Sequence, residues 1–383
     1  MGTEKPETTK LHSVRRVAIV ISEVDYSRHF LWIAEGLNHK NVEVHFIWLF
    51  EKEPELHRIL ISRGIASTYI PLKNKYGFPW VSIRLFFLLR IIKPDVLNAH
   101  LFNAGRIAIP TAHLMGIKSI YTRHYSTLHH DYFPRAVIQD KWINRLSDIV
   151  VAVSEGVAKV LESREGLSRD KIRVIPHGFD FSETTPLNGQ EKAVARQNLG
   201  IPSEAGPIIG VVSRFVEWKG IQYILPAFKE FIQSHPNALL VLANANGDYK
   251  SELQKWLQLI PVKNIKMIEF QKDQGILFGS FDCFIHVPTD ATIEAYGQVY
   301  VEAMAYQLPC VFTKSGVAVE FAVNNQNCLV VPYKSSEEIT RALNRIFTDK
   351  SFAEKIAQMG RQKVLESYDV ESMINKTAEL YGE

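Results

Sequence analysis

HVPTDATIEAYGQVYVEAMAYQLPCVFT, residues 286–313, is the stretch whose reading decides the fold. The apolar run Cys283–Pro288 that leads into it reads as a buried strand. A loop and Gly297 follow, and the apolar-periodic segment Gln298–Tyr306 then reads as a helix. Glu294 falls in the loop at the strand's carboxyl end, and Glu302 falls in the helix, somewhat over one turn in. The free backbone N–H groups at such a helix start suit an anion such as a diphosphate. Two acceptor-only carboxylates beside that helix end suit hydroxyl groups on either side of a phosphate. A nucleotide-sugar presents that pattern.

The same alternation of short apolar runs and amphipathic segments extends in both directions. Strands are expected at Val17–Ser22, Val42–Leu49, Thr68–Leu72, Val96–His100, Ser119–Thr122, Ile149–Ser154 and Val174–Pro176. A second set is expected at Ile208–Ser213, Ala238–Ala243, Ile265–Phe270, Cys283–Val287, Cys310–Thr313 and Cys328–Val331. Strand–helix alternation makes this an α/β chain with parallel sheets covered on both faces. The turn-rich stretches DFSETTPLNGQ and IPSEAGP mark a break near residues 180–206. The expected organisation is therefore a first Rossmann-like domain, 1–183, a linker, 184–206, and a second Rossmann-like domain, 207–365. A closing segment, 366–383, ends in a helix that packs back across the boundary, and a cleft lies between the domains. Ligands in such sheets bind beyond the carboxyl ends of the strands.

With 383 residues and 46% apolar side chains, each half can build a core. A net charge of +3 does not by itself argue for nucleic acid as a partner. Cys283, Cys310 and Cys328 fall in apolar strand-like runs without metal spacing, so they read as buried thiols in a reducing compartment. The first 16 residues lack the apolar core of a signal peptide, and Pro6 breaks the myristoylation pattern. No window approaches the roughly 18 apolar residues of a membrane span. A cytoplasmic enzyme is the expectation.

VVSRFVEWKG, residues 211–220, sets Arg214 at a strand's end and Lys219 at the next helix's start. Two cations there suit neutralisation of a diphosphate leaving group. No Asp-x-Asp stands on a strand end, and no His/Cys cluster has metal spacing. His124, His129, His130 and Asp131 are close in sequence, but a zinc site is the weaker reading of them. No metal is expected, so Arg214 and Lys219 take on its electrostatic work. His100 ends a strand in PDVLNAH and His124 ends one in SIYTRHY. His124 reads as functional, able to hydrogen-bond a sugar hydroxyl or move a proton. His100 stays open between function and a structural role.

Residues 72–94 hold no acidic residue and interleave Lys73, Lys75, Arg84, Arg90 and Lys93 with Tyr76, Phe78, Trp80, Phe86 and Phe87. Two readings stand: peripheral contact with an anionic membrane, or a core helix with a basic rim. A second aromatic and basic stretch, residues 124–142, suits cradling an acceptor or part of a lipid.

Together these residues resemble the retaining GT-B glycosyltransferases of family 4, also called group 1. The resemblance rests on VAVSEGVAKVL followed by KIRVIPHGFDF, on SRFVEWKG, on EAYGQVYVEAMAYQLPC with SGVAVE after it, and on NCLVVPYKSSEEITRAL. It implies a nucleotide-diphosphate sugar as donor, with Arg214 and Lys219 at its diphosphate, Glu294 at the sugar hydroxyls and Glu302 at the ribose. It implies that backbone at Tyr296, Gly297 and Gln298 meets the phosphates and that His124 lies near the donor sugar and the acceptor. It also implies retention of anomeric configuration by front-face displacement, without a protein nucleophile. The first loop departs from the family, since ISEVDYSRHF has no glycine where many members carry a pair. A side chain such as Asp25 or Tyr26 has to be accommodated there. Further departures are the single Gly247 in ANANGD, Gln307 where glycine is usual, and Val317 after Gly316.

The expected activity is transfer of a sugar to a glycan or lipid-linked hydroxyl acceptor in surface glycan or glycolipid synthesis. Its rivals are a nucleotide-sugar epimerase on the same scaffold, which needs no acceptor, and a non-catalytic paralogue, favoured only by the glycine-free loop 22–29.

Overall fold

The computed structural model describes residues 14–40, 42–182 and 184–383. The reading of the amino-terminal residues 1–13 lies outside the described residues. The chain divides into two compact units. The first comprises the described residues up to Thr122, with Ile143–Ile149 and Ile374–Glu383; the second comprises Arg123–Trp142 and Val150–Met373.

Strands β1 (Arg15–Ser22), β2 (Val42–Phe50), β3 (Ser67–Pro71), β4 (Val96–His100), β5 (Lys118–Arg123), β6 (Ile149–Ala152) and β7 (Ile172–Val174) form a sheet in the order β3-β2-β1-β4-β5-β6-β7. Strand β1 runs parallel to both neighbours, with Ile21 opposite Trp48 on one side and His100 on the other. Ala18, Ile19, Val20 and Ile21 are fully buried, as expected of a strand covered on both faces. Asn98 is a polar exception in the middle of β4, and it is satisfied twice. Its Nδ2 donates to Tyr381 Oη at 2.9 Å, and its Oδ1 accepts from Thr122 Oγ1 at 2.9 Å. The closing helix Val370–Gly382 thus anchors its last turn on the first sheet. Ile374 of that helix lies against Gly36, where a Cβ would fall 2.0 Å from Ile374 Cδ1.

The strand order reverses between β1 and β4, and both loops leaving these strands carry left-handed backbone. Glu23 has φ 59°, and Leu101 has φ 73° with ψ 167°. Such conformations cost a side-chain-bearing residue about 1–3 kcal/mol each. The glycine-free loop is therefore accommodated by turning Glu23, not Asp25 or Tyr26, into the position glycine favours. Glu23 is held there by Asn103 Nδ2, which donates to its Oε1 at 2.6 Å. Asp25 folds onto the next segment, accepting the Glu55 N–H at 2.8 Å.

In the second unit, β8 (Ile208–Val212), β9 (Leu239–Ala243), β10 (Ile265–Ile268), β11 (Cys283–His286), β12 (Cys310–Phe312) and β13 (Leu329–Val330) form a parallel sheet in the order β10-β9-β8-β11-β12-β13. The helix Ile221–Phe231 buries Ile221, Ile224, Leu225, Phe228 and Phe231 at helical spacing against it. Residues 187–196 join this unit: Leu187 covers Gly279, and Lys192 and Arg196 both pair with Asp282. Strand order reverses between β8 and β11, so the ligand-binding position of such a sheet lies beyond the carboxyl ends of those two strands.

The remaining departures from glycine have local explanations. Asn244 takes φ 59° after β9, a conformation asparagine tolerates, while Gly247 is required because a Cβ there would lie 2.3 Å from Phe215 O. Val317 has φ −66° and needs no glycine. Gln307 ends the helix Gln298–Ala305 at φ 56°. Its N–H donates to Met304 O at 2.9 Å and the Leu308 N–H to Ala303 O at 3.3 Å, a Schellman cap with a side chain in the glycine position. Gln307→Gly should therefore stabilise the protein by about 1 kcal/mol, read as a higher urea midpoint at unchanged slope. A lower midpoint would mean that the glutamine side chain, not the cap backbone, holds this turn.

Candidate functional site

The reversal point between β8 and β11 gathers most of the residues singled out from the sequence. After β8 the chain runs through exposed Arg214 and the single turn Glu217–Lys219. Gly220 follows at φ 76°, and a Cβ on it would lie 2.0 Å from Val287 O. Trp218 O also accepts the Thr289 N–H at 2.9 Å. The two loops are thus bound backbone to backbone, which sets Lys219 against the loop after β11. Lys219 Nζ donates to Glu294 Oε2 at 2.5 Å, with side chains only 12% and 11% exposed. Trp218 lies under the same ammonium, its ring centroid 4.5 Å away.

His286, at the end of β11, reaches the same carboxylate, with Nε2 3.3 Å from Glu294 Oε2. Burial, assisted by the Lys219 charge, pushes the imidazole down to about 4, so it is neutral at pH 7. Burial alone would raise the Glu294 carboxyl. The Lys219 charge and the His286 hydrogen bond outweigh it and hold the group at about 2. Tyr300 packs edge-on against His286 at 4.6 Å and donates to Thr313 O at 3.2 Å, closing the floor. His286 was not singled out in the sequence. Its signal was its place at the strand end, eight residues before Glu294.

Glycine brackets the carboxylate. A Cβ on Gly297 would lie 3.2 Å from Glu294 Cγ, and one on Gly316 would lie 2.9 Å from it. Gly297, with φ 80°, also begins the helix Gln298–Ala305 without a capping side chain. The helix start carrying Gln298 therefore keeps the positive end of its dipole beside Glu294. Glu302 sits in this helix and accepts from Gln274 Nε2 at 2.8 Å.

His124 directly follows β5 instead of ending it, and it lies in the second unit; His100 ends β4 in the first. The His124 ring lies 5.5 Å from His177, and His177 lies edge-on to Tyr296 at 4.7 Å. Tyr296 is buried and donates its hydroxyl to His177 O at 2.8 Å, while its own carbonyl accepts the Val317 N–H at 2.9 Å. Burial pushes His124 down to about 4. His177, which carries no signal of its own in the sequence, links His124 to Tyr296 in the Glu294 loop. Ser154 adds a further tie, donating to Ala295 O at 2.6 Å while capping its own helix through the Val157 N–H.

The stretch 124–142 is less open than its sequence implies. Leu128–Tyr132 and Pro134–Leu146 are helical. His129 Nδ1 lies 2.7 Å from Asp140 and His130 Nε2 lies 3.2 Å from Glu165. Arg123, fully buried, spans both carboxylates, at 2.7 Å from Glu165 and 3.4 Å from Asp140. The two histidines therefore turn inward onto a buried ion network that fixes the segment leading into His124. Phe133, Ile138 and Trp142 stay exposed.

Comparison with known proteins fits this geometry. The model of glycosyl transferases group 1 matches residues 192–363, and that of glycosyltransferase family 4 matches residues 27–183. The capsular polysaccharide biosynthesis glycosyltransferase CapM of Staphylococcus aureus is 22% identical over 91% of this chain and 92% of its own. The alpha-monoglucosyldiacylglycerol synthase of Acholeplasma laidlawii is 26% identical over 82% of each chain. The crystal structure of Anabaena Alr3699/HepE in complex with UDP and glucose superposes with a TM-score of 0.82 at 19% identity, covering 95% of this chain and 99% of that one. The two sheets are those of a GT-B glycosyltransferase. Within that class the chain belongs to the group 1, or family 4, glycosyltransferases.

Proposed function

We propose that this glycosyltransferase is retaining and metal-independent, moving a sugar from a nucleotide-diphosphate sugar to a hydroxyl acceptor in surface glycan or glycolipid synthesis. The observation that carries the reading is the buried Lys219–Glu294 pair, set at the strand-order reversal beside the Gly297 helix start. Without donor, each partner neutralises the other. A bound donor offers both a better match: its diphosphate takes the ammonium and its sugar hydroxyls take the carboxylate. Arg214 adds a second cation, the Gly297–Gln298 backbone supplies N–H donors, and Glu302 receives the ribose hydroxyls. In the transfer, the bond from the anomeric carbon to the phosphate oxygen breaks and one to the acceptor oxygen forms on the same face. The acceptor's proton passes to the departing phosphate. Arg214 and Lys219 stabilise the charge that develops there, the work a divalent metal does in other sites. His124, neutral at pH 7, is suited to hydrogen-bond the sugar or the acceptor.

Support for a nucleotide-sugar donor comes from Alr3699/HepE, whose structure holds UDP and glucose. Support for a glycan or glycolipid product comes from the names of the Staphylococcus and Acholeplasma relatives. Among the described residues no helix is long and apolar enough to cross a membrane, and the proposed setting is the cytoplasm, in keeping with three buried free thiols. The reading is tested by melting temperature against a panel of nucleoside diphosphates and their sugars, with and without magnesium. One nucleotide should raise it selectively and to the same extent in both conditions. A response that needs magnesium overturns metal independence, and no response to any nucleotide overturns the donor site.

A further inference from the structure

We infer that the helix Phe78–Ile92 and the turn before it form a docking surface for an anionic membrane, with the helix lying flat in the lipid headgroup layer. The sequence left this segment open between a core helix and a lipid interface, and the structure shows both in one element. Val81, Leu85 and Leu89 are buried. The opposite face is apolar and open: Trp80 is 62% exposed, Ile83 50%, Phe87 59% and Ile91 78%, with Tyr76 at 82% in the preceding turn. At about 100° per residue, Trp80, Ile83, Phe87 and Ile91 fall within an arc of about 80°. Arg84 and Arg90 are exposed along the two edges of that arc, and Lys73, Lys75 and Lys93 are exposed at the segment's ends. No acidic residue occurs between Leu72 and Pro94.

A contiguous exposed apolar stripe needs a covering partner, and its chemistry selects which. A second copy of the chain would bring like-charged rims together around the same stripe, which opposes a two-fold dimer. An anionic lipid surface takes the apolar stripe into the acyl boundary and pairs the cations with its headgroups. A helix of 15 residues is about 22 Å long, so it lies on a bilayer core of about 30 Å and does not cross it. The inference concerns binding alone and stands whether or not the donor reading holds.

The test is co-sedimentation of the full chain with vesicles of phosphatidylcholine, or of phosphatidylcholine with phosphatidylglycerol, at low and high salt. Binding should require the anionic lipid and weaken with salt. Brominated acyl chains should quench tryptophan fluorescence in the wild type and lose most of that quenching in Trp80→Phe. Trp80→Ser with Phe87→Ser should weaken binding by about tenfold or more, and Arg84→Glu with Arg90→Glu by about tenfold at low salt. All of these side chains are exposed, so melting temperature should not change. Equal binding to both vesicle types, or no binding to either, overturns the inference. So does a dimer on gel filtration that Trp80→Ser with Phe87→Ser dissociates, since the occupant would then be a second copy. The nucleotide response, measured on the same variants, reports the donor site separately.

Discussion

Lys219→Ala is expected to lower turnover by about 10²- to 10³-fold at saturating donor, the size of effect seen when one preorganised donor to a developing negative charge is removed. The variant should remain folded but lose about 3 kcal/mol of stability, because Glu294 is left in a buried position with His286 as its remaining side-chain donor among the described residues. The sign of the pH dependence follows. A carboxyl held below its unfolded value adds stability above that value and loses it as pH falls toward about 2. Without Lys219 that contribution disappears, and the gap between wild type and variant should close as pH falls below 4. Lys219→Ala with Glu294→Gln separates the two roles, restoring stability without restoring turnover. Near wild-type turnover in Lys219→Ala would sink the role proposed for this lysine.

Gly220→Ala is expected to cost about 4 kcal/mol, among the largest effects of a single added methyl. The added carbon would meet the carbonyl of Val287 at 2.0 Å, in a backbone conformation with φ 76° that side chains disfavour. Neither group is the tip of a flexible side chain, so the two loops must move apart. That shift also carries Lys219 away from Glu294, and donor-induced stabilisation should fall along with the denaturation midpoint. A loss below about 1 kcal/mol would show that the loop yields freely and that Lys219 is not positioned by this contact.

The sheets were legible because strands buried on both faces are written as continuous apolar runs, and every expected run contains strand. The ends moved where pattern and hydrogen bonding part company. Strand β7 is Ile172–Val174 and overlaps its expected position only at Val174, since half-buried Arg173 breaks the apolar run. The Glu294 loop and the helix after it were legible from Gly297 and the change of period. Invisible in the sequence was the pairing itself, for Lys219 and Glu294 meet across 75 residues through a backbone contact. His286 carried only a weak signal, its place at the end of β11 eight residues before Glu294. A zinc site is the weaker sequence reading of the histidines in 124–142, but only the fold shows that His129 and His130 turn inward onto Asp140 and Glu165. The missing glycines misled in another way: left-handed backbone predicts glycine, but Glu23, Asn244 and Gln307 take it with local support.

The bond between Asn98 and Tyr381 ties two residues 283 positions apart. During translation, β4 emerges long before the helix that completes its polar contacts. A domain synthesised from its amino end folds as it leaves the ribosome at about 5–20 residues per second. For at least about 14 s, Asn98 on the nascent chain therefore has no Tyr381 to bond, and the Gly36 surface lacks the Ile374 side chain that covers it. The first-made unit is in this sense the last one finished. Chaperone capture of stalled nascent chains should accordingly favour its uncovered surface over the second unit's sheet, whose strands are all complete by residue 330.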